Sequence, residues 1–112
     1  MEVIVEQRGA VVLVRISGSV DGLTADGLQT NLSAHIAGGA TRLVGDLSGV
    51  DYTSSAGLRA LLAALKATRQ LGGDFRLAAV QPPVLRVLEM SGFTSILKLY
   101  PDVDAAVASF GA

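Results

Sequence analysis

A chain of 112 residues, half of them apolar and 17% charged, has the length of one domain with one core. Nine basic residues against ten acidic ones, with aromatics at 4% and no basic run, argue against a nucleic-acid surface. The absence of cysteine excludes disulfides and thiolate metal sites, and a single histidine excludes the usual multi-histidine sites, so neither metal nor cofactor is expected.

Val3–Gln7 and Ala10–Ile16 read as two strands broken at Arg8-Gly9, a hairpin signal. Gly18-Ser19-Val20-Asp21-Gly22 is a loop. Leu28, Leu32 and Ile36 repeat every four residues and predict a helix from Ala25 to Ala37, stopped by Gly38-Gly39. Arg42–Leu47 is a central strand. Ser55–Leu71 is a second helix, with Leu58, Leu61, Leu62 and Leu65 as its apolar stripe and Arg59, Lys66, Arg69 and Gln70 away from it. Gly72-Gly73 ends that helix, and Asp74–Val80 is a strand. Pro82-Pro83 opens a third helix through Met90, closed by Gly92. Ser95–Tyr100 is a short strand, and Pro101-Asp102 starts a last helix with Val103, Val107 and Phe110 on one face.

The order β-β-α-β-α-β-α-β-α predicts a single α/β domain over residues 1–112. Its mixed sheet combines an N-terminal hairpin with parallel crossovers, and four helices cover it. No apolar run approaches the roughly 18 residues of a membrane span, despite a mean hydropathy of +0.49. The first residues lack the basic-then-apolar pattern of a signal peptide. The expectation is a cytoplasmic domain without membrane insertion, whose surplus apolar residues fill a core and leave an interaction patch.

Catalysis finds little support. The only histidine, His35, lies beside the apolar stripe of the first helix, so a serine nucleophile has no obvious base. There is no Gly-x-Ser-x-Gly elbow and no phosphate-cradling loop with lysine. Asp21, Asp46 and Asp51 fall near the C-terminal ends of predicted strands, where sites of α/β sheets form. As residues they read as turn and cap carboxylates or as a cluster, without ligand spacing to distinguish the two.

Residues 46–58, Asp-Leu-Ser-Gly-Val-Asp-Tyr-Thr-Ser-Ser-Ala-Gly-Leu, carry the most information. An apolar strand runs into a polar loop that ends in two serines at a helix start. Such a start has unpaired N–H groups and partial positive charge, which suit either a serine cap or a phosphate. Ser54 and Ser55 are therefore structural, with Ser54 capping the helix and Ser55 filling its first turn, or they are the place where the protein is switched.

This stretch resembles the signature of STAS domains, named for sulfate transporters and anti-sigma factor antagonists. Gly18-Ser19-Val20-Asp21-Gly22-Leu23-Thr24-Ala25 resembles the family's Gly-x-(hydrophobic)-Asp-x-x-(Thr/Ser)-Ala approach to the first helix. Leu71 to Leu77 is similar to its Gly-Gly step into the next strand, and Pro83 with Leu88-Glu89-Met90-Ser91-Gly92-Phe93 to its third helix and exit. The resemblance covers essentially the whole chain, and the free-standing anti-sigma factor antagonist is the nearest subgroup.

The resemblance implies a binding module and phosphorylation substrate without catalysis of its own. The family's phosphorylated serine lies two residues before the motif glycine, a place matched by Ser55. Many relatives have aspartate just before it; Ser54 stands there instead and is the alternative acceptor. Asp21 matches an aspartate near the phosphorylation site. The implied partners are an anti-sigma factor that is also an ATP-binding serine kinase of histidine-kinase-like fold, and a PP2C-type phosphatase. Asp21, Asp51, Thr53, Ser54, Ser55, Arg59 and Lys66 are the expected partner-binding residues. Two rivals are a constitutive STAS subunit of a lipid-transport or signalling complex, in which Ser55 is only a cap, and a small hydrolase using Ser55.

Overall fold

The computed structural model describes residues 1–111. Strands β1 (Glu2–Arg8) and β2 (Val11–Ser17) form an antiparallel hairpin. Helix α1 (Ala25–Ala37), strand β3 (Arg42–Gly49), helix α2 (Ser55–Gln70), strand β4 (Asp74–Ala78) and helix α3 (Pro82–Met90) follow. A single 3-10 turn (Phe93–Ser95), strand β5 (Leu99–Tyr100) and helix α4 (Val103–Ala108) complete the order. The five strands lie in sequence order in one sheet, parallel from β2 onward. Among the described residues no helix is long and apolar enough to cross a membrane.

Alternation along the strands assigns the two faces. Val14, Ile16, Leu43, Leu47, Phe75 and Leu77 pack with Leu28, Leu32 and Ile36 of α1, Leu58, Leu61 and Leu65 of α2, and Val84 and Leu88 of α3. The opposite side chains, Val11, Leu13, Val44 and Ala78, meet Ala106 of α4, flanked by Val103, Val107 and Phe110. Burying each large side chain contributes about 1.5–3 kcal/mol, so the three-helix face carries most of the core. Leu62 is only half-buried, one step off the stripe that faces the sheet; Ala60 and Ala64 are buried in the interface where it was expected.

Several boundaries shift from the sequence expectation, and three of the shifts have a visible cause. The hairpin turn is Gly9-Ala10, with Gly9 at φ +62°, so Ala10 leaves the strand. Strand β4 stops at Ala78 because Ala79 turns into the left-handed region at φ 55°. The strand expected over residues 95–100 begins only at Leu99. Phe93–Ser95 coils first, and Ile96 and Leu97 bond back to the Phe93 carbonyl. Gly73 has no alternative at the α2–β4 step: a β-carbon there would lie 1.9 Å from the Thr41 carbonyl oxygen.

Candidate functional site

Two loops meet at the start of α2. The Val20 N–H donates to the Tyr52 carbonyl at 3.0 Å, and the Ser54 N–H donates to the Val20 carbonyl at 2.8 Å. This one-residue parallel bridge, Val20 with Thr53, extends the β2–β3 pairing past the sheet. It joins the loop before α1 to the loop before α2, so residues far apart in sequence share one surface.

Asp21 organises the first loop. Its carboxylate accepts from the N–H groups of Leu23 (2.9 Å) and Thr24 (3.1 Å) and from the Thr24 hydroxyl (3.2 Å). The bond from Leu23, the largest influence, holds this carboxyl below the usual range; burial opposes it, and the Thr24 bonds add to the lowering. Thr24 closes the turn by accepting from the Asp21 N–H at 2.9 Å. Asp46 serves a turn in the same way, accepting from the Ser48 N–H at 2.9 Å. Asp21 and Asp46 thus have turn and cap work, and Asp51 is exposed.

At the helix start the two serines divide their tasks. Ser54 is the N-cap: its hydroxyl accepts from the Gly57 N–H at 3.2 Å, and its carbonyl accepts the first helical bond, from Leu58 at 3.0 Å. Ser55 is the first helical residue; its exposed hydroxyl makes no hydrogen bond among the described residues. The helix has no acidic residue in its first turn, so its positive end is not neutralised from within.

Ser55, Arg59 and Lys66 are exposed along α2, Asp51 is exposed in the preceding loop, and Asp21 and Ser54 are half-buried. Arg59 and Lys66, seven residues apart, share a side of the helix, and neither has an ion pair among the described residues. Thr53 differs from its expected place on the surface. It is buried under the helix start, where its hydroxyl donates to the Ser54 carbonyl at 3.3 Å. Its location supports the surface from below.

Two exposed apolar residues that the sequence did not single out stand on these loops. Leu23, 93% exposed, stands on the loop that Asp21 stiffens, and Tyr52 is exposed in the partner loop. Each shares its turn with a buried valine, Val20 or Val50, so sequence alone does not tell the exposed apolar residue from the buried one. His35 is half-buried on α1. In α2, no histidine, aspartate or glutamate lies within hydrogen-bond reach of Ser55.

Residues 2–106 match the STAS domain model. The chain is 36% identical over 110 residues to BtrV of Bordetella bronchiseptica, a proposed anti-sigma factor antagonist, covering 98% of this chain and 95% of that one. An anti-sigma factor antagonist from Mycobacterium paratuberculosis superposes with a TM-score of 0.83 at 31% identity, covering 96% of this chain and 92% of that one. SpoIIAA, an anti-sigma factor antagonist solved unphosphorylated and phosphorylated, shares the fold. Its TM-scores are 0.84 and 0.76, at 19% and 18% identity; coverage is 97% of this chain in both cases, and 96% and 99% of SpoIIAA. On this match along nearly its whole length, the chain belongs to the STAS domain family, alongside relatives named anti-sigma factor antagonists.

Proposed function

We propose that this protein is a partner-switching anti-sigma factor antagonist whose acceptor is Ser55. Unphosphorylated, it binds an anti-sigma factor that is also an ATP-dependent serine kinase, and so frees a sigma factor or another client. Phosphorylation of Ser55 ends that binding, and a PP2C-type phosphatase restores it. The protein is a substrate and a binding module in this cycle and contributes no catalytic group.

One observation carries the reading: Ser54 supplies the cap, so the Ser55 hydroxyl has no structural partner to lose. A phosphoryl group there adds about −1.5 to −2 charges at a helix end that favours negative charge. The fold therefore tolerates it. The binding surface does not, because Arg59 stands one turn further along α2, the spacing at which side chains meet. Phosphate on Ser55 both adds negative charge and draws the Arg59 guanidinium away from an acidic partner. Leu23 and Tyr52 supply the apolar part of the contact, held in place by the Val20–Thr53 bridge.

The test is a calorimetric titration of the anti-sigma factor with the wild type and with Ser55→Asp. The wild type binds; Ser55→Asp melts like the wild type and binds poorly. Equal affinity of the two proteins contradicts the switch and favours the constitutive interaction module.

A further inference from the structure

We propose that the free edge of β1 pairs with the β1 edge of a second copy of this chain. The pairing is antiparallel and centred on Val5, and it joins two five-stranded sheets into one of ten strands. Strand β1 is the outer strand of the sheet, and its edge has no partner among the described residues. It runs seven residues without a proline or a bulge. An edge of that length is a template for another strand unless something blocks it. Ile4, 53% exposed, and Val5, 38% exposed, lie in the middle of it.

The hairpin fixes which backbone groups face outward. Arg8 and Val11 are paired across the two-residue turn Gly9-Ala10. A pair next to so short a turn must be a hydrogen-bonded one, because the alternative would need a bond between the adjacent turn residues. Hydrogen-bonded and non-bonded pairs alternate along antiparallel strands. Ile4, Glu6 and Arg8 therefore spend their N–H and C=O groups on β2, and Val3, Val5 and Gln7 point theirs at the free edge.

That pattern restricts the registers of a symmetric pair. Outward-pointing residues must oppose one another, so the register moves only in steps of two residues. Centred on Val5, Val5 faces Val5, and Val3 faces Gln7 on either side; every outward group is used. Glu2 of one copy then lies opposite Arg8 of the other at both ends, and Ile4 opposite Glu6. Shifted by one step, the register centres on Ile4 or on Glu6, loses a bonded pair, and sets Glu2 against Glu6 or Glu6 against Glu6. Like charges directly opposite destabilise a strand pair and opposite charges stabilise it. Charges on an edge strand commonly deter pairing; here their order along β1 is self-complementary in the one register that uses all the bonds. Glu2 has no ion pair within its own chain among the described residues, and Arg8, shared by Glu6 and Asp104, keeps donors to spare.

Sedimentation velocity and amide hydrogen exchange of the full chain test this. The wild type should reach twice the monomer mass as concentration rises. With it, the Val3, Val5 and Gln7 amides should become protected, matching the Ile4, Glu6 and Arg8 amides that β2 already protects. Val5→Pro removes the central outward donor without touching a bond to β2 and should leave a monomer. Glu2→Arg sets like charges opposite one another and should raise the dimer dissociation constant about tenfold. Circular dichroism checks that each variant is folded, and the exchange pattern of the wild type needs no variant. A wild type that stays monomeric up to roughly 1 mM overturns the proposal. So does a dimer that survives both substitutions, or one in which the three outward amides still exchange freely.

Discussion

Gly57 lies directly against Thr53: a β-carbon added at position 57 would sit 2.3 Å from the Thr53 hydroxyl oxygen and 2.8 Å from a Val20 methyl. The helix start is thereby pressed onto the two bridged loops, and the spacing between Ser54, Ser55 and Gly57 is fixed by contact as well as by motif.

Gly57→Ala should therefore destabilise the protein, although alanine is ordinarily the better helix former by about 1 kcal/mol. Overpacking against a buried hydroxyl and the Val20 backbone costs about 1–3 kcal/mol. Chemical denaturation measures it. A variant as stable as the wild type would mean that the loops yield easily and that the surface is not rigid.

Most of the framework was legible in the sequence because burial imposes periodicity. Leu28, Leu32 and Ile36 on α1, and Leu58, Leu61 and Leu65 on α2, point where their spacing requires. The final strand was not legible. The apolar run Ile96-Leu97-Lys98-Leu99 fits a strand equally well, and only the tertiary placement of Phe93 and Leu97 turns its first half into a coil. At the site, the order of the two serines already pointed to Ser54 as the cap and Ser55 as the first-turn residue, as the bond from the Gly57 N–H to the Ser54 hydroxyl shows; whether Ser55 is also a switch was not legible from spacing. The Val20–Thr53 bridge and the burial of Thr53 join segments some thirty residues apart, and no local pattern reports such contacts. Gly57 was a partial signal, since a glycine inside a helix suggests close packing.

Asp74 makes acid stability a second point of attack. Burial pushes its carboxyl up. Hydrogen bonds from Arg76 (3.0 Å) and Arg69 (3.2 Å), and from the Phe75 N–H (3.0 Å), outweigh burial and hold it below the usual range. Arg76 also stacks on Phe110 at 4.0 Å and donates to the Ser109 hydroxyl at 2.8 Å, tying the end of α4 to the sheet. A carboxyl depressed by folding stabilises above its unfolded value, near pH 4, and that stability is lost as pH falls through the lower folded value. Asp74→Asn should cost about 1–3 kcal/mol at neutral pH. Its stability curve should converge on that of the wild type in acid. Parallel curves from pH 7 to pH 2 would contradict the assignment.

Arg59 is exposed and has no ion pair among the described residues, so its charge contributes little to the fold. Arg59→Glu should leave the melting temperature nearly unchanged and weaken binding to the anti-sigma factor by roughly 1–3 kcal/mol. Titration calorimetry that finds equal affinity removes this face of α2 from the proposed contact.

Mass spectrometry of the kinase reaction decides whether Ser55 is the acceptor while Ser54 caps. The wild type, Ser54→Ala and Ser55→Ala are each incubated with the partner kinase and ATP. One phosphate should be added to the wild type and to Ser54→Ala, mapped to Ser55, and none to Ser55→Ala. Ser54→Ala should in addition lose about 0.5–2 kcal/mol of stability with its cap. A phosphate on Ser55→Ala that is absent from Ser54→Ala, or no phosphate on any of the three, would contradict Ser55 as the acceptor.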